Sequence, residues 1–83
     1  MWYVYIIKSR DENWRYIGYT GDLKKRLQAH NKGRVQSTKH YHPFELEAYV
    51  AVHTEKEART LEKYFKTGSG KAVLMKRILQ LDK

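Results

Sequence analysis

At 83 residues the chain reads as one small domain, near the lower limit of what a core can stabilise unaided, and without cysteine it can use neither disulfides nor thiolate–zinc sites. Seventeen Lys and Arg against nine Asp and Glu leave a net charge of +8, a field that draws polyanions such as nucleic acid. The 41% hydrophobic fraction argues against disorder, the apolar start Met1–Ile7 is too short to span a bilayer or serve as a secretory signal, and a cysteine-free chain fits a reducing cytoplasm.

Residues Trp2 to Lys8 are apolar on both faces and read as a central strand covered on both sides. After the polar stretch Arg10-Asp11-Glu12-Asn13, Trp14 to Thr20 forms a second strand, with Tyr16, Gly18 and Thr20 on one face. If the two pair as a hairpin, Tyr5 and Tyr16 fall nearly opposite each other. A glycine at position 18 lets a ligand or another backbone approach closely. Thr20 or Asp22 caps a helix running to about Lys32, with Leu23 and Leu27 on its buried face and Arg26 and His30 one turn apart along the flank. Gly33 stops it.

Arg34 to Pro43 is polar, basic and without period, and reads as a loop whose Lys39 and His40 are available for binding contacts. His40 and His42 could share a metal, but no third ligand stands near them. From Glu45 to His53 strict alternation puts Leu46, Ala48, Val50 and Val52 on one face of a third strand. Thr54-Glu55-Lys56-Glu57 is a capping box. The helix it opens buries Ala58, Leu61 and Phe65, carries Glu62 at the edge of that stripe, and is broken by Gly68-Ser69-Gly70. A last helix from about Lys71 buries Leu74, Ile78 and Leu81 and exposes Lys71, Lys76 and Arg77. The order β-β-α-β-α-α describes an α/β (α+β) domain with a small, mainly antiparallel sheet flanked by helices.

Gly68-Ser69-Gly70-Lys71 lacks the first glycine of a phosphate-binding loop, and no Gly-x-Ser-x-Gly occurs. The constellation Tyr5, Tyr16, Arg26, His30 and Glu62 carries more. Arg26 offers a fixed cationic fork for phosphate oxygens, Glu62 a hard oxygen ligand for Mg²⁺, and Tyr5 or His30 a base. Singly, each has an ordinary explanation: packed aromatics, a solvated arginine, an edge histidine, and a glutamate paired with Arg59 or Lys66.

Together these residues resemble the GIY-YIG nucleases. The likeness runs through Tyr3-Val4-Tyr5, Tyr16-Ile17-Gly18, Arg26, His30-Asn31 and Glu62, covers essentially the whole chain, and is greatest to short stand-alone members. It implies a three-stranded sheet flanked by helices and hydrolysis of DNA phosphodiesters with one Mg²⁺ or Mn²⁺. It also implies Tyr5 as base, Tyr16 assisting near the attacking water, Arg26 on the scissile phosphate, His30 lining the site and Glu62 on the metal. Two departures stand out. Tyr3 takes the place of the motif's glycine, and the asparagine that larger relatives carry in their last helical region is absent. With no recognition domain in view, the expectation is weak sequence preference, with selectivity drawn from branched or damaged DNA or from a partner protein. RNA stays open as a ligand. The alternative is a nucleic-acid-binding module with little or no nuclease activity.

Overall fold

The computed structural model describes residues 1–80. Three antiparallel strands form one sheet in the order β2-β1-β3: β1 (Trp2–Ser9), β2 (Arg15–Thr20) and β3 (Phe44–Val52). The apolar run expected at the centre lies there, with Val4, Tyr5, Ile6 and Ile7 all buried. Ser9 makes the hairpin turn possible: its Oγ accepts from the backbone N–H of both Asp11 and Glu12, folding the polar stretch back on itself.

The two faces of β1 serve different layers. Val4 and Ile6 pack against Ala58 and Phe65 of α2 (Glu55–Phe65) and against Leu74. Tyr5 and Ile7 face the other way with Phe44, beneath Leu23 and Leu27 of α1 (Leu23–Asn31). The capping box at Thr54 forms as the sequence implies, with Glu57 closing back on the Thr54 backbone. Of the two candidate caps for α1, Asp22 takes the role by accepting from Lys25 N–H, while Thr20 Oγ1 holds the Asp22 N–H. The helix ends in a paired closure: Gly33 N–H donates to His30 C=O and Arg34 N–H to Ala29 C=O, with Gly33 at φ +70°.

Several expectations need correction. Tyr5 pairs with Gly18, and Tyr16 with Ile7, so the two tyrosines are diagonal neighbours rather than opposite. The third strand does not keep its alternation: Ile6 pairs with Ala48 but Ile7 with Leu46, so Glu47 is an extra, bulged residue. The slip sends Leu46 to the face opposite Ala48, Val50 and Val52, and frees Glu47 to bind Arg15 across the sheet at 2.6 and 3.2 Å. The break between the last two helices falls at Lys66-Thr67, so Gly68-Ser69-Gly70 begins the second of them, three residues earlier than expected. Thr67 caps α3 (Gly68–Val73) by accepting from Gly70 N–H, and a side chain at Gly70 would collide with the Tyr64 carbonyl. The α3 backbone then widens into a π-helical turn over Leu74–Ile78, closed by Leu79 N–H on Leu74 C=O. Leu74 is buried as expected and Ile78 half-buried; Leu81 lies outside the described residues.

One clamp fixes α1 to the sheet. Asn31 Oδ1 accepts from Phe44 N–H at 2.6 Å and its amide donates to Phe44 C=O at 3.3 Å. Asn31→Ala leaves both backbone groups without their partner and is expected to cost about 1–2 kcal/mol. Asn31→Asp keeps the shorter of the two bonds and should lose less. Thermal melts check this: equal losses for the two variants would contradict the clamp.

Candidate active site

The site is built outward from a buried line of three side chains. Tyr5 Oη lies 2.8 Å from His30 Nε2, and His30 Nδ1 lies 2.8 Å from Thr38 Oγ1. His30 and Thr38 are sealed from solvent, each at 0% exposure, and Tyr5 is buried to all but 2%. His30 was expected on the flank of α1 with Leu23 and Leu27 forming the buried face; instead His30 is the buried residue and both leucines are half-buried. The polar 34–43 stretch is likewise no solvated loop throughout. Val35 and Thr38 turn inward from it, and Lys39–Tyr41 forms a single 3-10 turn whose Tyr41 ring stacks on Trp14 at 3.9 Å.

Gly18 is what lets Tyr5 lie where it does. A methyl group on Gly18 would stand 2.5 Å from Tyr5 Oη and 2.9 Å from the Tyr16 ring. The group that needs the bare backbone is therefore the protein's own phenol, rather than a ligand or a second strand. With the phenol laid across Gly18, Tyr5 and Tyr16 come to a centroid separation of 6.4 Å, and His30 stands 5.6 Å and 5.3 Å from their two rings.

A cleft opens over this line at the edge strand β2. Tyr5, Tyr16, Gly18, Arg26 and Glu62 all line it, with Trp2 at its margin. Arg26 arrives from α1 and Glu62 from α2, so the two helices on opposite sheet faces contribute from either side of the same edge. Four of the five residues singled out from the sequence thus share one surface, and the fifth, His30, backs it through Tyr5. Lys39 and His40 do not line it; they belong to the 3-10 turn. Among the described residues no group of three or more His, Asp or Glu comes together as a metal site, so His40 and His42 gain no third ligand.

Glu62 makes the helical pair that its spacing allows, accepting from Lys66 Nζ at 2.9 Å through Oε2. Lys66 also stands 5.9 Å above the Tyr16 ring, which brings a second cation to the cleft margin. The Glu-x-x-x-Lys spacing signalled that contact in advance. Thr38 carried no such signal: a threonine in a polar stretch looks like solvent-facing loop until the fold turns it inward.

Burial governs the protonation of the inner pair. It pushes the Tyr5 phenol above its ordinary value, with the Arg26 guanidinium opposing the rise and Tyr16 and Glu62 adding to it. Burial also takes His30 down from 6.5 to about 4, helped by the positive charge of Arg26. At neutral pH the site therefore holds a neutral phenol against a neutral imidazole.

With the sheet and its edge cleft in place, comparison with known families finds a match: the model of the GIY-YIG catalytic domain covers residues 1–77. The chain belongs to this family of nuclease domains. The UPF0213 protein YazA of Bacillus subtilis is 42% identical over 65 residues, which span 77% of this chain and 65% of YazA. The chain thus covers a little under two thirds of that relative. A UPF0213 protein of Bacillus pumilus is 40% identical over 70 residues, 83% of this chain and 70% of its own. The solution NMR structure of the UPF0213 protein BH0048 from Bacillus halodurans shares the fold, at a TM-score of 0.53 and 33% identity over 90% of this chain and 83% of that one. No helix among the described residues is long and apolar enough to cross a membrane.

The depressed His30 pKa has a consequence for stability. An unfolded histidine takes up its proton near 6.5 while the folded one resists until about 4, so the contribution is complete above 6.5 and is lost as pH falls toward 4. A shift of that size corresponds to about 3 kcal/mol. Denaturant unfolding of the wild type should weaken across that window, and His30→Gln should flatten the slope. An identical slope in the variant would contradict a buried neutral His30.

Proposed function

We propose that the chain is a divalent-metal-dependent DNA endonuclease that hydrolyses phosphodiester bonds with weak sequence preference. The observation that carries this is the convergence of Tyr5, Tyr16, Arg26 and Glu62 on one cleft with a neutral imidazole behind Tyr5. Arg26 receives the scissile phosphate, its planar fork matched to two phosphate oxygens. Tyr5 and His30 then work in series rather than as rival bases. As the water oxygen bonds to phosphorus and the bond to the departing strand breaks, one water proton passes to Tyr5 Oη. The phenol's own proton passes to His30 Nε2, and the departing oxygen takes its proton from solvent. His30 afterwards returns its proton through Tyr5. Phosphate on Arg26 also offsets the guanidinium charge, one of the two influences that keep the imidazole from accepting a proton. Tyr16 is placed to orient the water.

Glu62 would hold the metal ion. A single carboxylate on an open cleft suits Mg²⁺ or Mn²⁺, since Mg²⁺ commonly takes one or two carboxylates and fills its shell with water and phosphate oxygens. Bound there, the ion would neutralise charge building on the phosphate. Lys66 holds Oε2 of the same carboxylate, which leaves Oε1 to the ion.

Weak sequence preference follows from what the cleft offers. Its polar groups suit a phosphate, and phosphate contacts position a duplex without reading it. Selectivity then comes from deformable, branched or damaged DNA, as in repair or recombination, or from a partner protein. Half-buried Lys39 and exposed His40, on the 3-10 turn, would contact the flanking backbone. The second reading, a binding module with little hydrolysis, draws on the Lys66–Glu62 ion pair, which fills part of the metal position.

Cleavage of supercoiled, linear, single-stranded and branched DNA, and of RNA, in Mg²⁺, Mn²⁺ or chelator separates the two. Metal-dependent cutting of DNA is expected, with Arg26→Ala slower on the order of a hundredfold and Glu62→Ala inactive while retaining most DNA affinity. Salt-sensitive binding by all three proteins with no cutting by any would favour the binding module.

A further inference from the structure

We propose that Thr38 is a positioning residue that fixes the tautomer of His30, holding the ring proton on Nδ1 so that the Nε2 lone pair faces Tyr5. This rests on the nuclease reading for its purpose, but not for its geometry.

Thr38 is pinned at both ends of its own peptide unit. Its N–H donates to Val35 C=O at 3.1 Å and its C=O accepts from Tyr41 N–H at 2.9 Å. The side chain is fully buried on this fixed backbone, and its hydroxyl stands 2.8 Å from His30 Nδ1 and 3.5 Å from the Val35 carbonyl oxygen. One direction of donation satisfies every group in this dry line. Tyr5 O–H donates to His30 Nε2, His30 Nδ1–H donates to Thr38 Oγ1, and the Thr38 hydroxyl donates to Val35 C=O. In the reverse direction His30 would donate to Tyr5, and the Tyr5 proton would lose its only protein acceptor among the described residues. A buried donor without a partner is costly. The line therefore runs from the cleft inward.

A hydroxyl suits this position better than a carboxylate would. An anion against Nδ1 would favour the imidazolium and remove the lone pair that Tyr5 needs. A threonine supplies an acceptor without a charge, so His30 is oriented and kept neutral by the same contact. Chain connectivity makes the contact possible, because Arg34 N–H on Ala29 C=O reverses the chain after α1 and returns it to His30 eight residues later.

The test is the ¹⁵N spectrum of the histidine rings at neutral pH, read beside DNA cleavage. In the wild type, His30 should carry its proton on Nδ1 and show a bare Nε2; protonation on Nε2 would overturn the proposal without any variant. Thr38→Val keeps the size and the backbone bonds but removes the hydroxyl. It should shift the ring toward the Nε2–H form and slow cleavage on the order of tenfold or more. Thr38→Ser should restore both the spectrum and the rate. A Thr38→Val protein with unchanged His30 spectrum would refute the positioning role, as would a Thr38→Ser protein that fails like Thr38→Val. Should the wild type not cleave DNA at all, the nuclease reading falls while the spectra still decide what Thr38 does.

Discussion

The contact on which the rest of the site depends is the buried hydrogen bond between Tyr5 and His30. Two polar side chains that bury themselves must find each other, because an unpaired donor or acceptor in a dry interior is costly. That requirement fixes the distance of α1 from the sheet. It also explains Gly18, whose missing side chain is the space the phenol occupies, and the inward turn of Thr38, which completes the pairing of the imidazole. Arg26, one turn before His30 on the same helix, is then placed over the cleft by the constraint that buries His30.

The same contact divides the site into a dry interior and a wet cleft. Inside, neutral groups are held in a defined order. Outside, Arg26, Glu62 and Lys66 keep enough solvent around them to exchange partners with an arriving phosphate or cation. On the proposed function, Tyr5 is the one group that belongs to both, its hydroxyl end lying against Gly18 and bonded to His30 while the residue also lines the cleft. The ion pair between Lys66 and Glu62 is then a resting contact, worth little at a half-exposed position and easily given up.

Much of this was legible in the residues. Tyr5, Tyr16 and Gly18 share a face because strand side chains alternate, and Arg26 and His30 share one because they are a helical turn apart. Those periods are local, so a sequence displays them. What stayed hidden depended on the third dimension. The bulge at Glu47 arises between β1 and β3 and has no mark in an alternating run that looks perfect. Tyr16 was expected opposite Tyr5 because the turn length, set by Ser9, was not apparent. The break and new cap near Gly68-Ser69-Gly70 were legible, but not that Thr67 is the cap, nor that Gly70 allows two helices to meet more closely than any side chain would permit. The burial of His30 and Thr38 was hidden for the same reason: polar side chains carry no hydrophobic period, and only their mutual contact makes them interior residues.

The most direct measurement is DNA cleavage by Tyr5→Phe, a change that removes one oxygen and keeps the ring over Gly18. If the Tyr5 hydroxyl carries the proton between water and His30, cleavage should fall by about two to four orders of magnitude while DNA retardation on a native gel stays at the wild-type level. Cleavage within a few-fold of wild type would show that the proton leaves by another route, and that the buried line beneath the cleft serves the fold alone.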